Sequence, residues 1–151
     1  MRSFAVFLLL VLAVAAPGAL FPPDVWYAQL VKPSWFPPNW LFAPVWGLLY
    51  LAIAVAGWKL WFAEPGPTRR MALILWGAQL VLNGLWSPLF FGLHQPLWAL
   101  VDILTLLAVL AASPGWFRHL SPLAAWLWLP YGLWVAYAAA LNAALVIGNP
   151  S

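Results

Sequence analysis

Apolar residues run along this chain in blocks of about twenty, each long enough to cross a hydrocarbon core of roughly 30 Å as a helix. Five blocks stand out, at approximately Ser3–Leu20, Phe42–Phe62, Arg70–Phe91, Pro96–Ser113 and Pro122–Ile147. They lack the strict alternation of a membrane barrel, and an open sheet cannot satisfy its backbone in lipid. Helix punctuation sits where it is needed: Ser121 followed by Pro122 offers an N-cap and a first-turn proline, and Gly92, Gly115 and Gly148 each follow a block. The pattern predicts an all-α integral membrane bundle of five transmembrane helices, with residues 1–151 as a single domain. The first block, Arg2 then FAVFLLLVL then AVAA, also has the form of a cleavable signal peptide. An intact amino terminus in mass spectrometry would select the helix.

One segment breaks this pattern. Between Phe21 and Trp46 lie Trp26, Trp35, Trp40 and Trp46 together with six prolines: Pro22, Pro23, Pro33, Pro37, Pro38 and Pro44. Prolines at that density are expected to exclude a regular helix, because each removes a backbone donor and restricts the residue before it. Indoles are equally foreign to a disordered linker. The expectation is a long ordered loop between helices 1 and 2, folded as an aromatic lid over something flat and apolar.

Composition narrows the class. Only 6% of the residues are charged against about 25% in soluble domains, so the missing polar surface must face lipid. Thirteen tryptophans suit membrane interfaces and flat ligands alike, and for Trp58, Trp61, Trp98 and Trp116 the interfacial role is expected. Without cysteine there is no thiolate metal site or thiol nucleophile. The net charge of +3 forms no basic stripe, so nucleic acid is not an expected partner. With five spans, Arg2, Lys59, Arg69, Arg70 and Arg118 fall on one side and Lys32 alone on the other. The positive-inside rule then places the amino terminus in the cytoplasm and the 21–43 loop outside.

Polar and aromatic residues inside the spans are the candidate chemistry. Gln79 and Asn83 lie one turn apart on the third span, with Trp86 three residues further on the same face. Such amides must turn inward, either to bond another helix or to anchor a ligand. Trp46 and Tyr50 are spaced i, i+4 on the second span; Tyr131 and Trp134 are spaced i, i+3 on the fifth, with Ala138 one turn beyond. They could shape a slot for a planar molecule or simply pack. Asp102 is the only acid well inside a span, with a buried structural hydrogen bond as its expected role. Ala136, Ala140 and Ala144 form a small-residue row, with Ala139 and Ala143 alongside, and such rows are expected to pack within the bundle, a homodimer contact being the alternative. His94 and His119 fall in loops on opposite sides, so a shared metal site is not expected.

The ordered motifs W-Y-x-x-L-x-K-P-x-W-x-P-P at Trp26–Pro38, P-x-W-x-x-L-Y at Pro44–Tyr50, A-Q-L-x-L-N-x-x-W-x-P-x-F-F at Ala78–Phe91, P-Y-x-x-W at Pro130–Trp134 and Leu141-Asn142 resemble the tryptophan-rich sensory protein / translocator protein family (TspO/MBR) over nearly the whole chain. The resemblance implies a five-helix bundle, commonly a homodimer, that binds porphyrins such as protoporphyrin IX beneath its first loop and requires no cofactor. By position, Trp26, Tyr27, Trp46, Asn83, Trp134 and Ala138 match the family's ligand contacts, and Trp35, Tyr50 and Trp86 are further expected walls. Gln79 and Tyr131 complete the candidate ligand-binding set. The implied role is that of a tetrapyrrole receptor or carrier with sensory, transport or stress-related output. A light- and oxygen-dependent porphyrin-degrading enzyme using Trp46 and Trp134 is the first alternative, and a membrane scaffold the second. Sterol binding through the family's terminal pattern is doubtful, because no basic residue follows Tyr137.

Overall fold

The computed structural model describes residues 2–21 and 23–150, including every side chain among them except those of Arg2, Ser3 and Ala19. The basic side chain of Arg2, counted above for orientation, thus lies outside the described residues, as do Met1, Pro22 and Ser151. The described chain is helical with no strand: α1 (Arg2–Leu20), α2 (Val25–Gln29), α3 (Phe42–Trp61), α4 (Pro67–Ser87), α5 (Pro96–Ala112), α6 (Pro114–Phe117) and α7 (Pro122–Gly148). Four helices are long and apolar enough to cross a membrane, namely α3, α4, α5 and α7 with their terminal turns; residues 4–18 of α1 form a shorter apolar helix. Prolines open α4, α5 and α7 at the first turn, where a missing N–H costs nothing. At α7, Ser121 caps the Ala124 N–H through its hydroxyl at 3.2 Å.

The helices pack in a ring, α1 against α3 and α4, α7 against α3 and α5, with α5 closing onto α4. Close approach is set by glycine at two points. A Cβ on Gly57 would stand 2.6 Å from the Trp76 ring and 2.8 Å from Phe7, and one on Gly84 would stand 2.6 Å from Val14. With Gly57 bare, Trp76 lies flush against α3 and its indole N–H donates to the Ile53 carbonyl at 2.9 Å.

Three details depart from the sequence expectation. The proline-rich crossover contains a short helix, α2, which survives because its five residues fit between prolines and Asp24 caps the Tyr27 N–H at 3.0 Å. After α4 the chain continues as a π turn over Pro88–Gly92, with the Leu93 N–H bonded to the Pro88 carbonyl at 2.8 Å. Pro88 brings no N–H to the ladder, which is a known cause of such local widening. Finally, Ala136 and Ala140 face outward, and it is Ala139 that is buried, so the Ala136 row does not pack inside. Of the interfacial tryptophans, Trp61, Trp98 and Trp116 are exposed, while Trp58 is half-buried with its ring edge-on to Phe4.

Candidate ligand cavity

The crossover, described from residue 23 to 41, folds back over one end of the ring and is tied down at three places. Val31 and Asn149 exchange two hydrogen bonds, Val31 N–H to Asn149 Oδ1 at 2.8 Å and Asn149 Nδ2 to the Val31 carbonyl at 2.9 Å. The Tyr137 hydroxyl donates to the Trp35 carbonyl at 2.7 Å. At the start of α2, Asp24 Oδ2 meets His94 Nε2 at 2.9 Å, and the Trp26 ring stacks on the same imidazole at 4.3 Å. The Tyr27 backbone N–H, and behind it His94, hold the Asp24 carboxyl below its ordinary value against some desolvation. Lys32 lies over the Tyr27 ring at 4.5 Å and donates to the Tyr27 carbonyl at 2.8 Å. Burial pushes the Tyr27 hydroxyl up to about 12, so it is neutral near pH 7.

Beneath the crossover lies a cavity of about 700 Å³, bounded by α1, α3, α4, the π turn, α5 and α7. That is within the 300–1,000 Å³ range of small-molecule sites. Its wall is a chain of neighbouring rings. Trp86 stacks on Phe90 at 4.9 Å, Phe90 and Phe91 meet Tyr27 edge-on, Tyr27 approaches Phe36, Phe36 approaches Phe42, and Phe42 meets Trp134. Trp46 and Tyr50 form a tilted pair at 5.5 Å on α3.

Polar groups are few, and their orientation follows from simple valence. The Trp76 carbonyl can only accept, so the Gln79 nitrogen must face it, at 2.8 Å. Gln79 Oε1 then faces the Tyr131 hydroxyl, which must donate its one proton there, at 2.7 Å. The Tyr131 oxygen is left to accept from Asn83 Nδ2, also at 2.7 Å. Among the described residues no donor bonds Asn83 Oδ1, which leaves an acceptor on this residue of the cavity wall. A second relay fixes Trp86: the Pro96 carbonyl orients the Asn142 amide at 2.9 Å, and Asn142 Oδ1 takes the Trp86 indole N–H at 2.9 Å.

Of the predicted ligand contacts, Tyr27, Trp46, Tyr50, Asn83, Trp86, Trp134 and Ala138 are on the cavity wall. Gln79 and Tyr131 are not; both are fully buried behind Asn83 and act through it. Trp26 is off the wall because its ring is spent on His94 and Phe90. Trp35 is half exposed and lies against Tyr137, where its carbonyl serves as a tether. The sequence pattern assigns no wall role to Phe36, Phe42, Phe90, Phe91 or Asn142, nor to the α1 face of Leu12, Ala15 and Gly18, all of which line the cavity. Phe90, Phe91 and Asn142 stand inside recognised motifs, whereas the α1 residues carry no polar or aromatic signal at all. Asp102 is buried on α5 away from the wall, and its Oδ2 has no hydrogen-bond partner among the described residues, contrary to the structural bond expected of it. His94 and His119 are far apart in the chain's two end loops, and no cluster of three metal-ligating side chains occurs among the described residues.

The comparison with known proteins decides the family. Residues 5–147 match the model of the TspO/MBR family. The chain belongs to the TspO/MBR family. It is 47% identical to a protein named Translocator protein from Sus scrofa over 120 residues, covering 78% of this chain and 70% of that one. A protein named CrtK from Rhodobacter capsulatus is 34% identical over 97% of this chain and 92% of its own length. A protein named Tryptophan-rich sensory protein from Cereibacter sphaeroides is 37% identical over 93% of this chain and 89% of its own. This TspO/MBR chain is thus a multi-pass membrane protein related to sensory and translocator proteins.

Proposed function

We propose that this TspO/MBR protein is a membrane receptor or carrier for tetrapyrroles such as protoporphyrin IX, held in the cavity beneath the crossover. The observation that carries the reading is the cavity wall itself: a continuous run of aromatic rings around a space of suitable volume, with one oriented amide oxygen. A flat macrocycle gains affinity there by stacking and apolar burial. Asn83 Oδ1 accepts from a ligand N–H and fixes its orientation. All five long helices span the membrane in this reading: α1, at 19 residues, is about 28 Å long and matches the hydrocarbon core. Lys59, Arg69, Arg70 and Arg118 at the end opposite the crossover put that end in the cytoplasm. Sterol is left out of the proposal, since no Lys or Arg follows Tyr137.

Protoporphyrin titration of the purified protein, read by tryptophan quenching, tests it. Saturable one-to-one binding is expected, weakened in Trp46→Phe and in Trp134→Phe with the bundle still folded. Unchanged dissociation constants in both variants would remove the cavity from the account. Because Trp46 and Trp134 both line the wall, a second reading is light-driven porphyrin breakdown, with the indoles exchanging electrons with the excited ring and oxygen as oxidant. Loss of the Soret band under illumination, faster than for free porphyrin and with a new product absorbance, would favour it; equal bleaching would eliminate it.

A further inference from the structure

At the opposite end of the bundle, a second depression of about 600 Å³ lies between α5 and α7. Its floor is Leu110 and Trp128, both buried, and Leu107 and Leu133 form its sides. Gly115 and Gly132 border its open space, where a Cβ on either would meet no heavy atom within 4 Å. Arg118 and Trp126 stand exposed at its edge. The α7 side of the groove runs from Ala125 to Leu133, a rise of about 12 Å, most of one leaflet of the hydrocarbon core. The groove therefore lies within one leaflet, with Arg118 at its headgroup end.

Lipid is the solvent on this face, so charge decides what fills the groove. Among the described residues the one contact between a basic and an acidic side chain is Asp24 with His94, at the far end, and no carboxylate pairs with Arg118. A second copy packed groove to groove would set one Arg118 against another with no carboxylate between them, since the groove lining contains none. We propose that the groove seats an acyl chain of one anionic phospholipid from the adjacent leaflet, with its phosphate on Arg118. A guanidinium suits a phosphate by paired, charge-assisted hydrogen bonds, and basic pockets between helices are a recurrent place for acidic headgroups. The site is independent of the porphyrin cavity.

Native mass spectrometry of the full chain in mild detergent, titrated with phosphatidylglycerol or phosphatidylcholine of identical chains, tests this. One phosphatidylglycerol per chain is expected to bind about five- to tenfold more tightly than phosphatidylcholine, the scale of one cation near a headgroup. Arg118→Gln should abolish that preference, Arg70→Gln should retain it, and Gly132→Leu should weaken both lipids by filling the groove. Gly132→Ala, with a melting curve, separates lost binding from lost folding. The proposal is overturned if Arg118→Gln keeps the preference, or if Arg70→Gln loses it equally. It is also overturned if lipid binding is excluded by a dimer that Gly132→Leu breaks.

Discussion

Replacing Tyr131 by phenylalanine removes a single oxygen while leaving a fully buried ring packed edge-on to Trp128. That oxygen donates to Gln79 and accepts from Asn83, each at 2.7 Å, and so joins α7 to α4 twice. Interhelical hydrogen bonds within membranes average about 0.6 kcal/mol, so two lost bonds give about 1.2 kcal/mol. Gln79 Oε1 is also left buried without a donor, a penalty of about 1–3 kcal/mol in soluble proteins. The unfolded chain in lipid finds partners too, which favours the lower end, and a loss of about 2 kcal/mol is expected. Gln79→Leu strands the Tyr131 hydroxyl instead and should destabilise to a similar extent. In the double variant neither group is stranded, so the two penalties should fall short of additivity by about 1 kcal/mol. Reversible unfolding in mixed detergent micelles, followed by circular dichroism, measures all three. Simple additivity would refute the coupled chain, and with it the orientation assigned to Asn83.

Gly57→Ala should destabilise by about 1–3 kcal/mol, because its Cβ would meet Trp76 and Phe7 well inside contact distance. Gly77→Ala, where no atom lies within 4 Å, should instead stabilise by up to about 1 kcal/mol through helix propensity; melting temperatures in one detergent compare the two signs. The Asp24 carboxyl is held below its ordinary value of 3.8, so its contribution to docking α2 is present above that value and lost as pH falls through the lowered one. The protection factor of the Tyr27 amide, exchange relative to the unfolded rate at the same pH, should therefore fall on acidification below 3.8, and Asp24→Asn, which still caps the helix, should flatten that response. Asn142→Leu should free the Trp86 indole and loosen its stacking on Phe90, read as weaker porphyrin binding with a folded bundle.

The long helices are legible in the sequence because lipid imposes so simple a rule. The apolar block Phe42–Phe62 forms α3 over Phe42–Trp61, and the block Pro96–Ser113 forms α5 over Pro96–Ala112. The start of α4 lies three residues before the expected Arg70: Pro67 opens it by the same first-turn rule that marks Pro122. Neither α2 nor the π turn is readable from periodicity, since both depend on caps and tertiary contacts, Asp24 with His94 among them. At the cavity, distinctive side chains stand out and plain ones do not. Trp46, Asn83 and Trp134 announce themselves, whereas Leu12 and Ala15 on α1 are walls only because the ring of helices turns them inward. Trp26 and Trp35 lie off the wall: the Trp26 indole stacks on His94, and Trp35 tethers the crossover through its backbone carbonyl.

Filling that space is the most direct test of all. Ala138→Phe places a ring where Ala138 now borders the cavity on α7, without touching the crossover's tethers. If protoporphyrin occupies the cavity, its dissociation constant in this variant should rise about tenfold or more, roughly 1.4 kcal/mol, at an unchanged melting temperature. Wild-type affinity in a folded Ala138→Phe protein would contradict the account.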